Sequence, residues 1–343
     1  VIAVTGAAGM LGATVVQRLT GAGLAVTGVD LRAAPDTSGY RHLVGDIRDP
    51  AVLRAAFDDA DAVVHCAAAL PSYPPEQIRA IVVDGSRAVL DAARAARVPR
   101  LVYISSTAVY GLPTQVPTPE QHPYAPVDAY STAKADAERL AVGYREHGLI
   151  LPVLRPKTFL GPGRMGLFAM LFQWAHEGRN FPVLGDGSVR IQMLHVADLV
   201  DAVETVLRVP AEAANDTYNI AAATFGTLRE DFQAVLDAAG HGKRVIGLPA
   251  RPARAALALL ERSGLSPVYG RLLHKLMADS YVDIDRARHR LGFHPRHSNR
   301  DAVLETFRWW RGQQATTAAT TTSGPTSRDP WRQGVLAAAR VFF

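Results

Sequence analysis

Residues 1–4, 25–29, 62–65, 101–104 and 151–154 are short apolar runs without polar alternation, the pattern of strands covered on both faces. Between them, 10–19, 52–57, 78–96 and 129–144 are alanine-rich with helical periodicity. Strand and helix in alternation predict a parallel sheet with helices on both sides, an α/β doubly wound fold. Beyond residue 160 the rhythm loosens. Helices are predicted at 167–177, 196–207, 228–239, 250–262, 267–278 and 301–311, with one strand at 190–196. This gives a first domain over 1–160 and a smaller, mostly helical C-terminal lobe over 161–312, some of whose elements can return to the main sheet. Residues 313–343 change character. Six Thr, two Ser, one Pro and one Gly fall between Thr316 and Ser327, a linker composition with too little apolar content to pack. The stretch from Trp331 to Phe343 is apolar and basic, and either docks as a short helix or stays loose.

Composition narrows the class. With 48% hydrophobic and 20% charged residues the chain is neither disordered nor a coiled coil. Its single cysteine, Cys66, excludes an internal disulfide and a cysteine-based metal site. No apolar run is long enough to span a membrane and no leader-like segment precedes the first strand, so a cytoplasmic location is expected. The net charge of +5 hides an imbalance of 33 Arg against four Lys, at 134, 157, 243 and 275. Arginine bias is the simpler reading of it. Unclustered positive charge gives no footing for a nucleic-acid partner.

The first strand runs straight into Gly6, Gly9 and Gly12, at spacing three, and then into a helix. Gly6 permits a tight turn, Gly9 lets the backbone approach a pyrophosphate, and Gly12 allows close helix–strand packing. The helix N-terminus offers free N–H groups to phosphate. Asp30 ends the second strand, 24 residues after Gly6. A carboxylate there accepts hydrogen bonds from the adenosine ribose and repels a 2′-phosphate, which favours NAD over NADP. Arg32 pulls the other way, and a strand-end cap is the plainer role for Asp30. Asp46, after a third strand, can reach an adenine amino group, or be a turn residue.

Tyr130 and Lys134 stand four apart at the start of a predicted helix, one turn apart on one face. A phenol near pKa 10 is a poor base at neutral pH, and an adjacent ammonium favours its phenolate. Such a Tyr can move a substrate hydroxyl proton while a dinucleotide takes the hydride. With four lysines in the chain, a chance Lys here is less expected than usual. Ser105, Ser106 and Thr107 follow the 101–104 strand at the end where ligands bind in open α/β sheets. Each could equally be a cap or turn residue.

The series Thr5-Gly6-Ala7-Ala8-Gly9-Met10-Leu11-Gly12, Asp30, Asp46-Ile47, His65-Cys66-Ala67-Ala68, Ile104-Ser105-Ser106-Thr107-Ala108-Val109-Tyr110-Gly111, Tyr130/Lys134, Leu154-Arg155-Pro156 with Gly161-Pro162-Gly163, and His195-Val196-Ala197-Asp198 resembles the extended short-chain dehydrogenase/reductase family, the NAD-dependent epimerase/dehydratase group. The resemblance spans about 1–312. It implies a Rossmann-type sheet with a substrate lobe, a homodimer formed through the helices at 78–96 and 129–144, and Ser106, Tyr130 and Lys134 as catalytic residues. NAD contacts are implied at Gly6, Ala8, Gly9, Met10, Leu11, Asp30, Leu31, Arg32, Asp46, Ile47, Cys66, Ala67, Ala68, Ile104, Ser105, Tyr130, Lys134, Pro156 and Thr158. Substrate contacts are implied at Ala69, Leu70, Thr107, Thr158 and Arg190. No metal is implied.

Departures from the family pattern narrow the chemistry. Dehydratase and decarboxylase members carry acidic residues after the catalytic hydroxyl, and here Thr107 and Ala108 stand there. Thr158 and Val82 replace asparagines usual in sugar-nucleotide enzymes. Arg190 matches a position that often holds substrate phosphate, or is a surface arginine like many others. Whether Arg155 also faces a phosphate is open. His195 reads as structural. The leading expectation is a nucleotide-sugar epimerase. A net dehydrogenase or ketoreductase on an apolar alcohol competes, motivated by Thr158 and by Leu167, Phe168, Met170, Leu171, Phe172 and Trp174. These apolar residues can equally form core. A non-catalytic dinucleotide sensor is the third reading, disfavoured by the retained Tyr and Lys.

Overall fold

The computed structural model describes residues 1–163, 168–249 and 278–316, which form two compact units. The helices expected at 250–262 and 267–278, Leu167, and nearly all of 313–343 lie outside the described residues.

The first unit comprises 1–157, 196–221 and 283–295, so the chain leaves it and returns twice. At its centre is a seven-stranded, wholly parallel sheet: β1 (Ile2–Thr5), β2 (Val26–Asp30), β3 (Arg41–Val44), β4 (Ala62–His65), β5 (Arg100–Ile104), β6 (Val153–Pro156) and, after the second unit's first segment, β10 (Thr217–Ile220). The spatial order is β10-β6-β5-β4-β1-β2-β3. β2 lies on one side of β1 and β4 on the other, in register Thr5 with Val29 and Thr5 with His65. The order therefore reverses beside β1, and the crevice beyond the strand ends there is where such sheets take ligands.

The crossover helices are α1 (Met10–Gly21), α2 (Pro50–Phe57), α3 (Pro75–Arg79), α4 (Gly85–Ala95) and α5 (Ala129–Gly143). The single helix expected over 78–96 is interrupted: Ala80–Asp84 forms a π turn between α3 and α4. Val82 sits in that turn as a buried core residue. The apolar faces of α2, α4 and α5 share one core cluster with β4 and β5, which includes Leu53, Phe57, Val89, Leu90, Leu101 and Tyr103. The later return segments contribute α7 (Val196–Arg208), the short α8 (Ala211–Ala214) and α10 (Asp285–Leu291).

The second unit comprises 158–195, 222–282 and 296 onward. It holds β7 (Phe159–Leu160) paired with β9 (Leu194–His195), β8 (Phe181–Leu184) paired with β11 (Val245–Leu248), and helices α6 (Ala169–His176), α9 (Leu228–Ala239) and α11 (Asn299–Thr316). Only residues 194–195 of the strand expected at 190–196 pair as a strand, because Ile191 makes an isolated bridge to Ser280 instead. Phe168, Leu171, Phe172 and Trp174 are all at most 4% exposed and pack with Phe181, Phe232, Phe307 and Trp310. They are the core of this unit, which removes the apolar-pocket argument for an apolar alcohol substrate. Among the described residues no helix is long and apolar enough to cross a membrane, and no group of three or more His, Cys, Asp or Glu could hold a metal.

Candidate active site

The glycine turn is built from steric necessity. Gly6 has φ +71°, and a Cβ on it would lie 2.7 Å from the Ala67 nitrogen beyond β4. A Cβ on Gly12 would fall 2.0 Å from the Gly6 carbonyl oxygen, so the first turn of α1 rests directly on the loop. Gly9 is the N-cap of α1 and provides no side-chain cap, and the first turn carries no acidic residue. N–H groups at such a helix start can be offered to phosphate. Met10 and Leu11 bury their side chains, so they can offer only backbone.

Asp30 joins this loop to the end of β2. Its Oδ2 accepts from the Ala8 N–H at 3.0 Å and its Oδ1 from the Arg32 N–H at 3.0 Å. The Arg32 guanidinium lies over the same carboxylate, with Nε 3.6 Å from Oδ1. Leu31 between them is 64% exposed. Asp46, after β3, is held by Arg48 through the backbone N–H (2.8 Å) and the guanidinium, which keeps its carboxyl below the ordinary range. Ile47 is buried. The turn, the bare helix start and the carboxylate at the end of β2 fit a dinucleotide.

The expected reacting groups come from β5 and α5. Asp128 and Ser131 start α5 reciprocally: Asp128 Oδ1 accepts from the Ser131 N–H at 2.6 Å, and Ser131 Oγ accepts from the Asp128 N–H at 2.9 Å. That cap puts Tyr130 in the first turn and Lys134 one turn on. Tyr130 is half-buried against the sheet core. Lys134 is 4% exposed, donates to the Ile104 carbonyl at 3.0 Å and lies 5.9 Å from the Tyr103 ring centre. Burial lowers its pKa to about 8, opposed by Glu138. Ser106 caps the short 3₁₀ turn Thr107–Tyr110, its Oγ accepting from the Ala108 N–H at 3.1 Å, which leaves its own proton to donate. The Thr107 hydroxyl donates to the Pro156 carbonyl at 3.4 Å. Ala67 and Ala68 follow β4, Ala69 is buried in the core, and Leu70 is half-buried.

Beneath these lies a buried polar chain that the sequence did not suggest. His65 Nδ1 is 2.7 Å from Thr5 Oγ1, its Nε2 is 3.0 Å from Ser86 Oγ, and that hydroxyl is 3.3 Å from the Tyr103 hydroxyl. Burial holds His65 neutral, down to about 3, and pushes the Cys66 thiol up to about 12.

Two of the residues singled out in the sequence make buried contacts. The Ser105 hydroxyl donates to Glu138, which leaves its backbone for a cofactor contact. Arg155 faces neither phosphate nor solvent. It is 5% exposed and pairs with Glu138 at 2.5 Å, donating also to the Tyr110 hydroxyl (2.6 Å) and the Glu120 carbonyl (2.9 Å). Glu138 itself was missed, although its place four after Lys134 was a legible signal. On the second unit Thr158 is exposed and its carbonyl accepts from the Leu194 N–H at 3.0 Å. Arg190 is exposed, with its guanidinium 4.7 Å over the Phe225 ring and 5.3 Å over Tyr281. His195 is buried, 3.1 Å from Glu305 and stacked on His297 at 4.0 Å.

A family model described as the NAD dependent epimerase/dehydratase family matches residues 2–221. The chain is 32% identical to an uncharacterized protein, y4nG, of Sinorhizobium fredii, over 97% of this chain and 84% of the relative. It is 31% identical to a dTDP-glucose 4,6-dehydratase of Streptomyces niveus, over 92% of this chain and 94% of the relative. The crystal structure of a UDP-glucose 4-epimerase with UDP-glucose from Thermotoga maritima shares the fold, at TM-score 0.75 and 23% identity, covering 91% of this chain and 99% of that one.

Proposed function

Because this chain belongs to the NAD-dependent epimerase/dehydratase family, we propose that it binds a nucleotide-diphosphate sugar beside NAD and inverts one carbinol centre of that sugar. The nucleotide-sugar class is supported by the dTDP-glucose dehydratase relative. The exposed guanidinium of Arg190, braced by two aromatic rings, is suited to a phosphate.

The observation that favours epimerisation over dehydration is the pair Thr107 and Ala108. Loss of water from a sugar needs a further acid and base beside the Tyr–Lys pair. Thr107 spends its hydroxyl proton on the Pro156 carbonyl, and Ala108 has no proton to exchange. The set that remains can move one hydroxyl proton out and back.

NAD, when bound, supplies the reversible hydride acceptor. The Gly6–Gly12 turn and the start of α1 hold its pyrophosphate, and Asp30 its adenosine ribose. Tyr130 takes the proton of the reacting hydroxyl and returns it. The Lys134 ammonium favours the phenolate and holds the nicotinamide ribose. Ser106 donates to the same substrate oxygen and orients it toward Tyr130.

The test is direct. The purified protein is incubated with UDP-glucose, UDP-galactose or dTDP-glucose, without added cofactor. Interconversion of hexose epimers supports the reading. A 4-keto-6-deoxy product makes it a dehydratase. In a parallel incubation supplied with NAD, NADH accumulating from an added alcohol makes it a dehydrogenase.

A further inference from the structure

Tyr130, Lys134 and Glu138 recur every fourth residue on α5 and so share one face. Glu138 is fully buried. One carboxylate oxygen accepts from the Ser105 hydroxyl. The other accepts from Arg155 Nε at 2.9 Å and Nη2 at 2.5 Å, and from the Tyr124 hydroxyl at 2.9 Å. The end of β5 is therefore held from α5 at two successive residues: Lys134 donates to the Ile104 carbonyl, and Glu138 accepts from Ser105. Ser106 is next in the chain, and its place follows from both.

Resting on the reading of Ser106, Tyr130 and Lys134 as the reacting set, we propose that Glu138 is a positioning residue. It ties the end of β5 to α5 and supplies the countercharge that keeps Lys134 an ammonium. Burial alone disfavours a charged lysine by several pKa units, and Glu138 is the largest influence opposing that on Lys134, which settles near 8. Among the other titratable groups facing Lys134, Cys66 acts in the same direction but more weakly than Glu138. From the end of β4, His65 is neutral above about 3, and burial raises the Cys66 thiol to about 12. From β5, burial also drives Tyr103 above the ordinary phenol value. On α5 itself stands Tyr130, the phenol that the ammonium is there to serve. Arg155 forms a buried ion pair with the same carboxylate.

Four lysines make the test tractable. Full-length protein labelled with [ε-¹³C]lysine and saturated with NAD gives few resonances, and Lys134→Met identifies the relevant one. In the wild type it should titrate below the ordinary lysine value. Glu138→Gln should move that midpoint down by about one pH unit or more, and Glu138→Asp should largely restore it. If Glu138→Gln fails to fold, Glu138→Gln with Arg155→Leu leaves neither partner of the ion pair charged and should still lower the midpoint, by a smaller step because a cation is lost with the anion. An unchanged midpoint in a folded variant overturns the proposal. A merely structural glutamate would not move the Lys134 titration. The readout needs no substrate. Turnover surviving Tyr130→Phe would thus refute the catalytic reading and leave this result standing, and an unmoved midpoint beside a dead Tyr130→Phe would do the reverse.

Discussion

Tyr130→Phe removes one oxygen and keeps the ring that packs on the sheet core. Turnover should fall at least ~100-fold with little change in NAD affinity, since a general acid/base is worth roughly 10²–10⁴. A change confined to cofactor binding, measured by calorimetry, would remove Tyr130 from the chemistry. Asp30 has two duties, because its carboxylate also receives the Ala8 and Arg32 N–H groups. Asp30→Ala should therefore weaken both dinucleotides through the loosened loop, and NAD more than NADP. Equal losses would leave only the structural duty. His65 makes a pH prediction. Its native imidazole stays neutral to about 3, whereas the unfolded chain protonates it near 6.5. The unfolded state binds the extra proton throughout that window, so stability falls as pH drops, by up to about 1.4 kcal/mol per unit. Urea midpoints of wild type and His65→Gln between pH 7 and 5 should differ in slope in that direction; parallel curves would mean the histidine is not buried neutral.

At the level of elements, α1 contains a paired comparison. A Cβ at Gly12 would lie 2.0 Å from the Gly6 carbonyl, whereas one at Gly21, the last residue of the same helix, meets nothing within 4 Å. Gly12→Ala should abolish NAD binding and lower the melting temperature. Gly21→Ala should be neutral or stabilise by about 0.4–1 kcal/mol. The reverse order would mean that α1 does not rest on the loop. The elements around that loop were legible in the sequence because strands buried on both faces show as unbroken apolar runs, and the glycine spacing carries its own geometry. β10 was not legible: its sequence, Thr217-Tyr218-Asn219-Ile220, holds an asparagine that is fully buried. Nδ2 of Asn219 donates to the Thr118 and Asp283 carbonyls at 3.1 Å, partners remote along the chain. The pairing of Glu138 with Arg155 was hidden for the same reason. A charged residue on a helix reads as solvent-facing until its partner from a distant strand is known.

For the whole molecule, part of the arginine excess ties distant chain segments together. Arg100 donates to the Val206 carbonyl, Arg145 to the Leu151 carbonyl and Arg229 to the Val245 carbonyl, and Arg18 joins Asp201 and Glu204. These arginines hold chain segments together, whatever the surface charge attracts. The homodimer expected through α4 and α5 finds no exposed large apolar side chain on either helix among the described residues. Sedimentation at micromolar concentration should still give the dimer mass if the family's assembly holds here, and a monomer would end that expectation. A fragment of residues 1–160 lacks β10 and α7, both part of the first unit. It should show no cooperative melting and no NAD-dependent shift. The two returns of the chain also set a timetable during synthesis. The sheet that carries the glycine loop stays unfinished at one edge until residue 220 has been made, and its unit until residue 295. At about 5–20 residues per second, the nascent first sheet waits on the order of ten seconds with β6 unpaired on one side. In that interval a holding chaperone, or simply slow dilution out of the ribosome's vicinity, decides whether the edge meets β10 or a neighbouring chain.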